Sequence, residues 1–134
     1  MRVLVDTSVW SLALRRDKQD SYAPVKALEN LIHDHRVQII GPIRQEILSG
    51  IRSESQFKKL QKHLESFPDH PILTKDYVIA AQFFNQCRSR GIQGSNTDFL
   101  ICALAARNKF SIFTTDKDFK LYSKHLEIVL YKVE

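Results

Sequence analysis

The chain has 134 residues, 26% of them charged, and a formal net charge of +5. That length suits one domain, which buries roughly two thirds of its unfolded surface and so needs no disulfide. The longest apolar run, Phe99–Ala106, is far too short to span a membrane, and Cys87 and Cys102 fit no metal or redox spacing.

Arg2–Val5 is a predicted strand that ends on an acid, Asp6, followed by Thr7 and Ser8. Ser8–Arg16 is a predicted helix with Ser8 as its cap, and Ser21–His33 a second helical pattern. Val37–Ile40 is a short apolar strand stopped by Gly41, and Pro42 suits the first turn of a helix reaching about Arg52. Glu54–Phe67 is an amphipathic helix with Phe57, Leu60 and Leu64 on one stripe. Lys75–Arg90 is a helix ended by Gly91, and "GIQGSNT" is a loop. Asp98–Asn108 is a helix, Ser111–Thr114 a strand, Asp118–Lys124 a short helix and Ile128–Tyr131 a last strand. Strands alternating with helices predict an α/β fold of three layers, a central, mostly parallel sheet flanked by helices. No linker or repeat divides the chain, so residues 1–134 are expected to form a single domain. Such sheets bind ligands beyond the carboxyl ends of their strands, where Asp6 stands.

Four acids look displaced. "SIFTTDKDF" repeats the opening pattern, with Ile112 and Phe113 leading through Thr114 and Thr115 to Asp116. If the two strands are parallel neighbours, Asp6 and Asp116 meet at one sheet edge. Asp118 is expected to begin the next helix as a cap or a supporting group. In "SNTDFLICALAARN", Asp98 shares a face with Ile101, Cys102 and Ala105 on a helix that is apolar all round. A capping box with Ser95 is the plainer account of that acid. In "GPIRQEILSG", Glu46 lies on the stripe of Ile43, Ile47 and Gly50, where Gly50 would leave space beside it, or at the stripe's edge facing solvent. Four carboxylates at one spot repel each other unless a divalent cation joins them. Oxygen donors without His or Cys point to magnesium or manganese, with the hydroxyls of Thr7, Ser8 and Thr115 as supports.

The segments "VDTSVW", "QEILSG", "NTDFLICALA" and "TTDKDF", in that order, resemble the PIN-domain ribonucleases, and most of all the small toxins of VapBC toxin–antitoxin systems. The resemblance covers nearly the whole chain. It implies a Rossmann-like sheet and a metal-dependent endoribonuclease that cleaves structured RNA, such as tRNA or rRNA. Its acidic site falls on Asp6, Glu46, Asp98 and Asp116, with Asp6, Asp98 and Asp116 as metal ligands. Thr7 or Ser8, and Thr115, match its site hydroxyls. One or two Mg2+ or Mn2+ ions are expected to activate a water for in-line attack, with Glu46 or Asp98 orienting that water. The resemblance further implies a 5′-phosphate and a 3′-hydroxyl at the cut, a homodimer, and a cognate antitoxin that blocks the site.

The bases fit an RNA partner. Arg15, Arg16 and Lys18 follow the first helix, and Lys58, Lys59 and Lys62 form a charged face. Arg88, Arg90 and Lys117 are favoured for RNA because they stand near the acidic motifs. Trp10, Leu12, Leu14, Val25, Leu28 and Leu31 exceed what one small sheet needs, so another chain is expected to cover some of them. His33 and His35 point to opposite sides of a helix and are read as its frayed end. Reduced thiols and the lack of a legible leader suggest a cytoplasmic protein. Two rival readings are a metal-dependent DNA or flap phosphoesterase and a non-catalytic RNA-binding module of the same fold. The lack of inserted DNA-binding elements argues against the first, and the intact acids against the second.

Overall fold

Two short apolar runs from opposite ends of the chain meet at the middle of the sheet. In the computed structural model, which describes residues 1–14 and 22–133, these are β1 (Val3–Val5) and β3 (Ser111–Phe113). The outer strands are β2 (Val37–Gln38) and β4 (Val129–Leu130), in the order β2-β1-β3-β4, and every pairing is parallel. All residues of β1 and β3 are buried, as expected of central strands covered on both faces. Val5 pairs with Phe113, and the N–H of Asp6 donates to the Phe113 carbonyl at 2.8 Å. That register sets the residues after Val5 beside those after Phe113.

The helices are α1 (Thr7–Ala13), α2 (Ala23–His33), α3 (Gly41–Leu48), α4 (Glu54–Leu64), α5 (Thr74–Arg88), α6 (Asn96–Asn108) and α7 (Asp118–Ser123). Residues Phe99 to Ala105 of α6 are all buried, so its apolar surface is core on every side. Its partner α5 is fastened by a deep ion pair. Asp76 has 0% of its surface exposed, and Arg107 grips both of its carboxylate oxygens, Nη2 meeting Oδ2 at 2.9 Å. Oδ2 also accepts the N–H of Leu73 at 2.8 Å, which closes the first turn of α5. Burial pushes the Asp76 carboxyl up, but the bonds from Arg107 and Leu73, and the charges of Arg107 and His70, hold it below the usual carboxylate range.

The predicted elements all occur, with shifted ends. The cap position of α1 is Asp6, not Ser8, and the carboxylate of Asp6 makes no capping bond. The predicted reach to Arg16, and Arg15, Arg16 and Lys18 themselves, extend outside the described residues. The third helix stops at Leu48 because Ser49 is extended and Gly50 turns at φ +87°. Gly50 therefore ends the helix and is not part of a stripe beside Glu46. Most of the supposed apolar excess is core: Trp10, Val25, Leu28 and Leu31 are buried, and Leu14 is exposed. The end of α2 is not frayed: after His33, His35 turns left-handed at φ 57°, and the N–H groups of His35 and Arg36 donate to the carbonyls of Ile32 and Leu31 at 3.0 Å each, which closes the helix. Among the described residues, no helix is long and apolar enough to cross a membrane.

Candidate active site

Beyond the last residues of β1 and β3, hydroxyls and carboxylates interlock. The Asp6 carboxylate is nearly buried, 7% exposed, and its Oδ2 accepts the hydroxyls of Ser8 at 2.9 Å and Thr114 at 2.8 Å. Each hydroxyl in turn accepts a backbone N–H from the β3–α7 turn, Thr115 to Ser8 at 3.1 Å and Asp116 to Thr114 at 3.0 Å. The turn that carries Asp116 is thus stitched to Asp6. Asp116 Oδ1 accepts the N–H of Asp118 at 2.9 Å, at the start of α7. The carboxylate serving that helix start is Asp116, and Asp118 is exposed in its first turn.

The other two acids arrive from further along the chain. Ser95 Oγ accepts the Asp98 N–H at 3.0 Å and caps α6, so half of the predicted capping box exists. The Asp98 carboxylate turns elsewhere: its Oδ2 accepts the phenol of Tyr122 at 2.8 Å. Glu46 is exposed, at the edge of the buried stripe of α3, and its Oε1 accepts the hydroxyl of Thr7 at 2.7 Å.

One pattern unites the four. Each carboxylate has one oxygen held by a protein donor: Asp6 Oδ2, Glu46 Oε1, Asp98 Oδ2 and Asp116 Oδ1. Among the described residues, the second oxygen of each accepts no hydrogen bond, and none of the four acids is in an ion pair. Burial pushes the Asp98 carboxyl above the usual range, and the charges of Asp6 and Asp116 add to this against the bonds from Tyr122 and Ser95. Among the described residues, no three acid, His or Cys side chains form a ready cation cage. The donor set still suits a hard divalent ion, because the oxygens left over are carboxylate oxygens and Asp98 stands within reach of the charges of Asp6 and Asp116.

Asp98→Asn removes one of the repelling charges and keeps an acceptor for Tyr122. Without metal it is expected to melt at or above the temperature of the parent in a thermal scan. A large loss of stability would show that the charge of Asp98 serves mainly to cap α6.

Two participants were not anticipated from sequence. The hydroxyl just beyond β3 that reaches Asp6 is that of Thr114, whereas Thr115 is exposed and offers its N–H. Tyr122 lies three residues after Phe119 on the buried side of α7, and a buried phenol signals a nearby acceptor. Of the favoured bases, Arg88 and Arg90 are exposed at the end of α5, the guanidinium of Arg88 lying 5.8 Å from the Phe84 ring centroid. Lys117 is exposed next to Asp116. A groove of about 780 Å³ also opens at Glu46, lined by apolar Leu14, Ile47 and Leu60 and by Lys59 and Lys62.

Fold and site together define a three-layer α/β protein whose acidic cluster sits at the carboxyl edge of a parallel sheet. The chain belongs to the PIN domain family, whose model matches residues 3–124; members of this family are generally nucleases. No curated protein matches it significantly in sequence. Solved structures share its fold. VapBC2 from Rickettsia felis, bound to a DNA fragment from its promoter, has a TM-score of 0.79 at 17% identity, with all of both chains covered. FitAcB from Neisseria gonorrhoeae has a TM-score of 0.78 at 20% identity, covering 97% of this chain and 96% of that one. PAE2754 from Pyrobaculum aerophilum has a TM-score of 0.58 at 17% identity, covering 96% and 91%.

Proposed function

We propose that this PIN domain is a Mg2+- or Mn2+-dependent endoribonuclease toxin, restrained by a cognate antitoxin. The observation that carries the reading is the set of four carboxylates, each pinned through one oxygen and open at the other. Asp6, Asp98 and Asp116 are the residues that would hold the ion. When bound, a divalent ion supplies Lewis-acid activation of water and offsets charge on the scissile phosphodiester. Glu46, fixed by Thr7 and facing solvent, orients the attacking water. Ser8 and Thr114 keep Asp6 from swinging away as substrate enters. Arg88, Arg90 and Lys117 engage phosphates on either side of the cut, where cations outside the acidic pocket attract RNA without quenching its carboxylates.

The fold shared with VapBC2 and FitAcB supports the antitoxin partner. The apolar groove at Glu46 offers a surface where such a partner would cover the site. Exposed Leu73, Tyr77 and Val78 on and beside α5 support pairing of two copies.

The test is incubation of purified protein with total RNA in Mg2+, in Mn2+ and in chelator. Cuts at a few positions, present with metal and lost with chelator, are expected. Metal-independent cutting, or cutting of DNA alone, would overturn the proposal.

A further inference from the structure

The phenol of Tyr122 is fully buried among aromatic rings, yet its hydroxyl is spent on one acid of the site. Its ring lies 4.9 Å from that of Phe99 and 5.2 Å from that of Phe119, centroid to centroid. The packing alone would be met by Phe. The hydroxyl adds one contact, the 2.8 Å bond to Asp98 Oδ2. Room for it comes from a glycine. A Cβ on Gly94 would collide with the Tyr122 hydroxyl and stand 2.8 Å from its Cζ and 2.9 Å from Phe99 Cε2. The loop before α6 is thus shaped around this phenol. Tyr122 also belongs to α7, which starts two residues after Asp116, so the bond ties the two acid-bearing segments together.

We infer that Tyr122 is a positioning residue, which fixes the carboxylate of Asp98 through Oδ2 and leaves Oδ1 available to a cation that Asp98 would hold together with Asp6 and Asp116. The inference rests on the proposed role of Asp98 as a metal ligand. A carboxylate with one oxygen held loses less freedom when the other binds a cation. A donor behind a metal ligand is commonly worth 10–100-fold in metal affinity.

The test is Tyr122→Phe, which keeps the ring and deletes only the hydroxyl, compared with the parent and Asp98→Asn. Manganese is titrated by calorimetry without RNA, and cleavage is followed across manganese concentration. Tyr122→Phe is expected to weaken manganese binding about tenfold or more, and to need correspondingly more manganese for half-maximal cleavage. Its activity should approach that of the parent at saturating manganese. Gly94→Ala, which crowds the phenol without removing it, is expected to shift the titration in the same direction. If Tyr122→Phe binds manganese as the parent does while Asp98→Asn does not, the hydroxyl is only structural and the inference falls. If Asp98→Asn also binds as the parent does, the assigned metal site falls and takes the inference with it.

Discussion

Asp6→Asn is expected to abolish RNA cleavage while the chain stays folded. The loss follows from the position of this carboxylate, where the edges of β1 and β3 and the turn carrying Asp116 converge. The fold should survive because an Asn oxygen still accepts the hydroxyls of Ser8 and Thr114, and the backbone bond to Phe113 is untouched. Removing a charge near Asp98 also relieves repulsion. Cleavage of total RNA, with both proteins prepared identically and compared by circular dichroism, decides the matter. A folded Asp6→Asn protein that cuts as fast as the parent would show that the activity lies elsewhere.

Arg107→Ala is expected to cost about 3–5 kcal/mol of stability, the usual penalty for stranding a buried charge. Asp76 has 0% of its surface exposed, and among the described residues Arg107 alone neutralises it at hydrogen-bond distance. The loss concerns the α5–α6 packing and not the acidic site. Its pH dependence has a definite sign. In the parent, the carboxyl of Asp76 is held below its ordinary range. It therefore contributes stability that is present above that range and is lost as pH falls through the folded value. In the variant, burial becomes the dominant influence and pushes the carboxyl up, so the gap between the two proteins should narrow on acidification. Urea unfolding at neutral and acid pH measures both effects. A loss under about 1 kcal/mol at neutral pH would mean that water replaces the guanidinium.

Much of this molecule is local in origin, and to that extent legible in the sequence. Apolar runs that end in acids, such as Val3–Val5 before Asp6 and Ile112–Phe113 before Asp116, mark strand ends whatever lies around them. The all-apolar stretch from Phe99 marks a buried helix, and Ser95 marks its start. These signals depend on neighbours a few residues apart, so they placed the strands and helices in order and singled out the four acids.

What the sequence could not decide depends on contacts between distant segments. Whether Thr114 or Thr115 serves Asp6 depends on the β1–β3 register, a contact across 108 positions. The bond of Tyr122 to Asp98 spans 24 positions and that of Thr7 to Glu46 spans 39. Asp76 reads in the sequence as one more charge in a first helical turn, until α6 brings Arg107 across 31 positions to meet it. Local pattern sets which residues are buried and which elements form. Only packing decides which buried polar atom meets which, because a hydrogen bond needs its partner within about 3 Å.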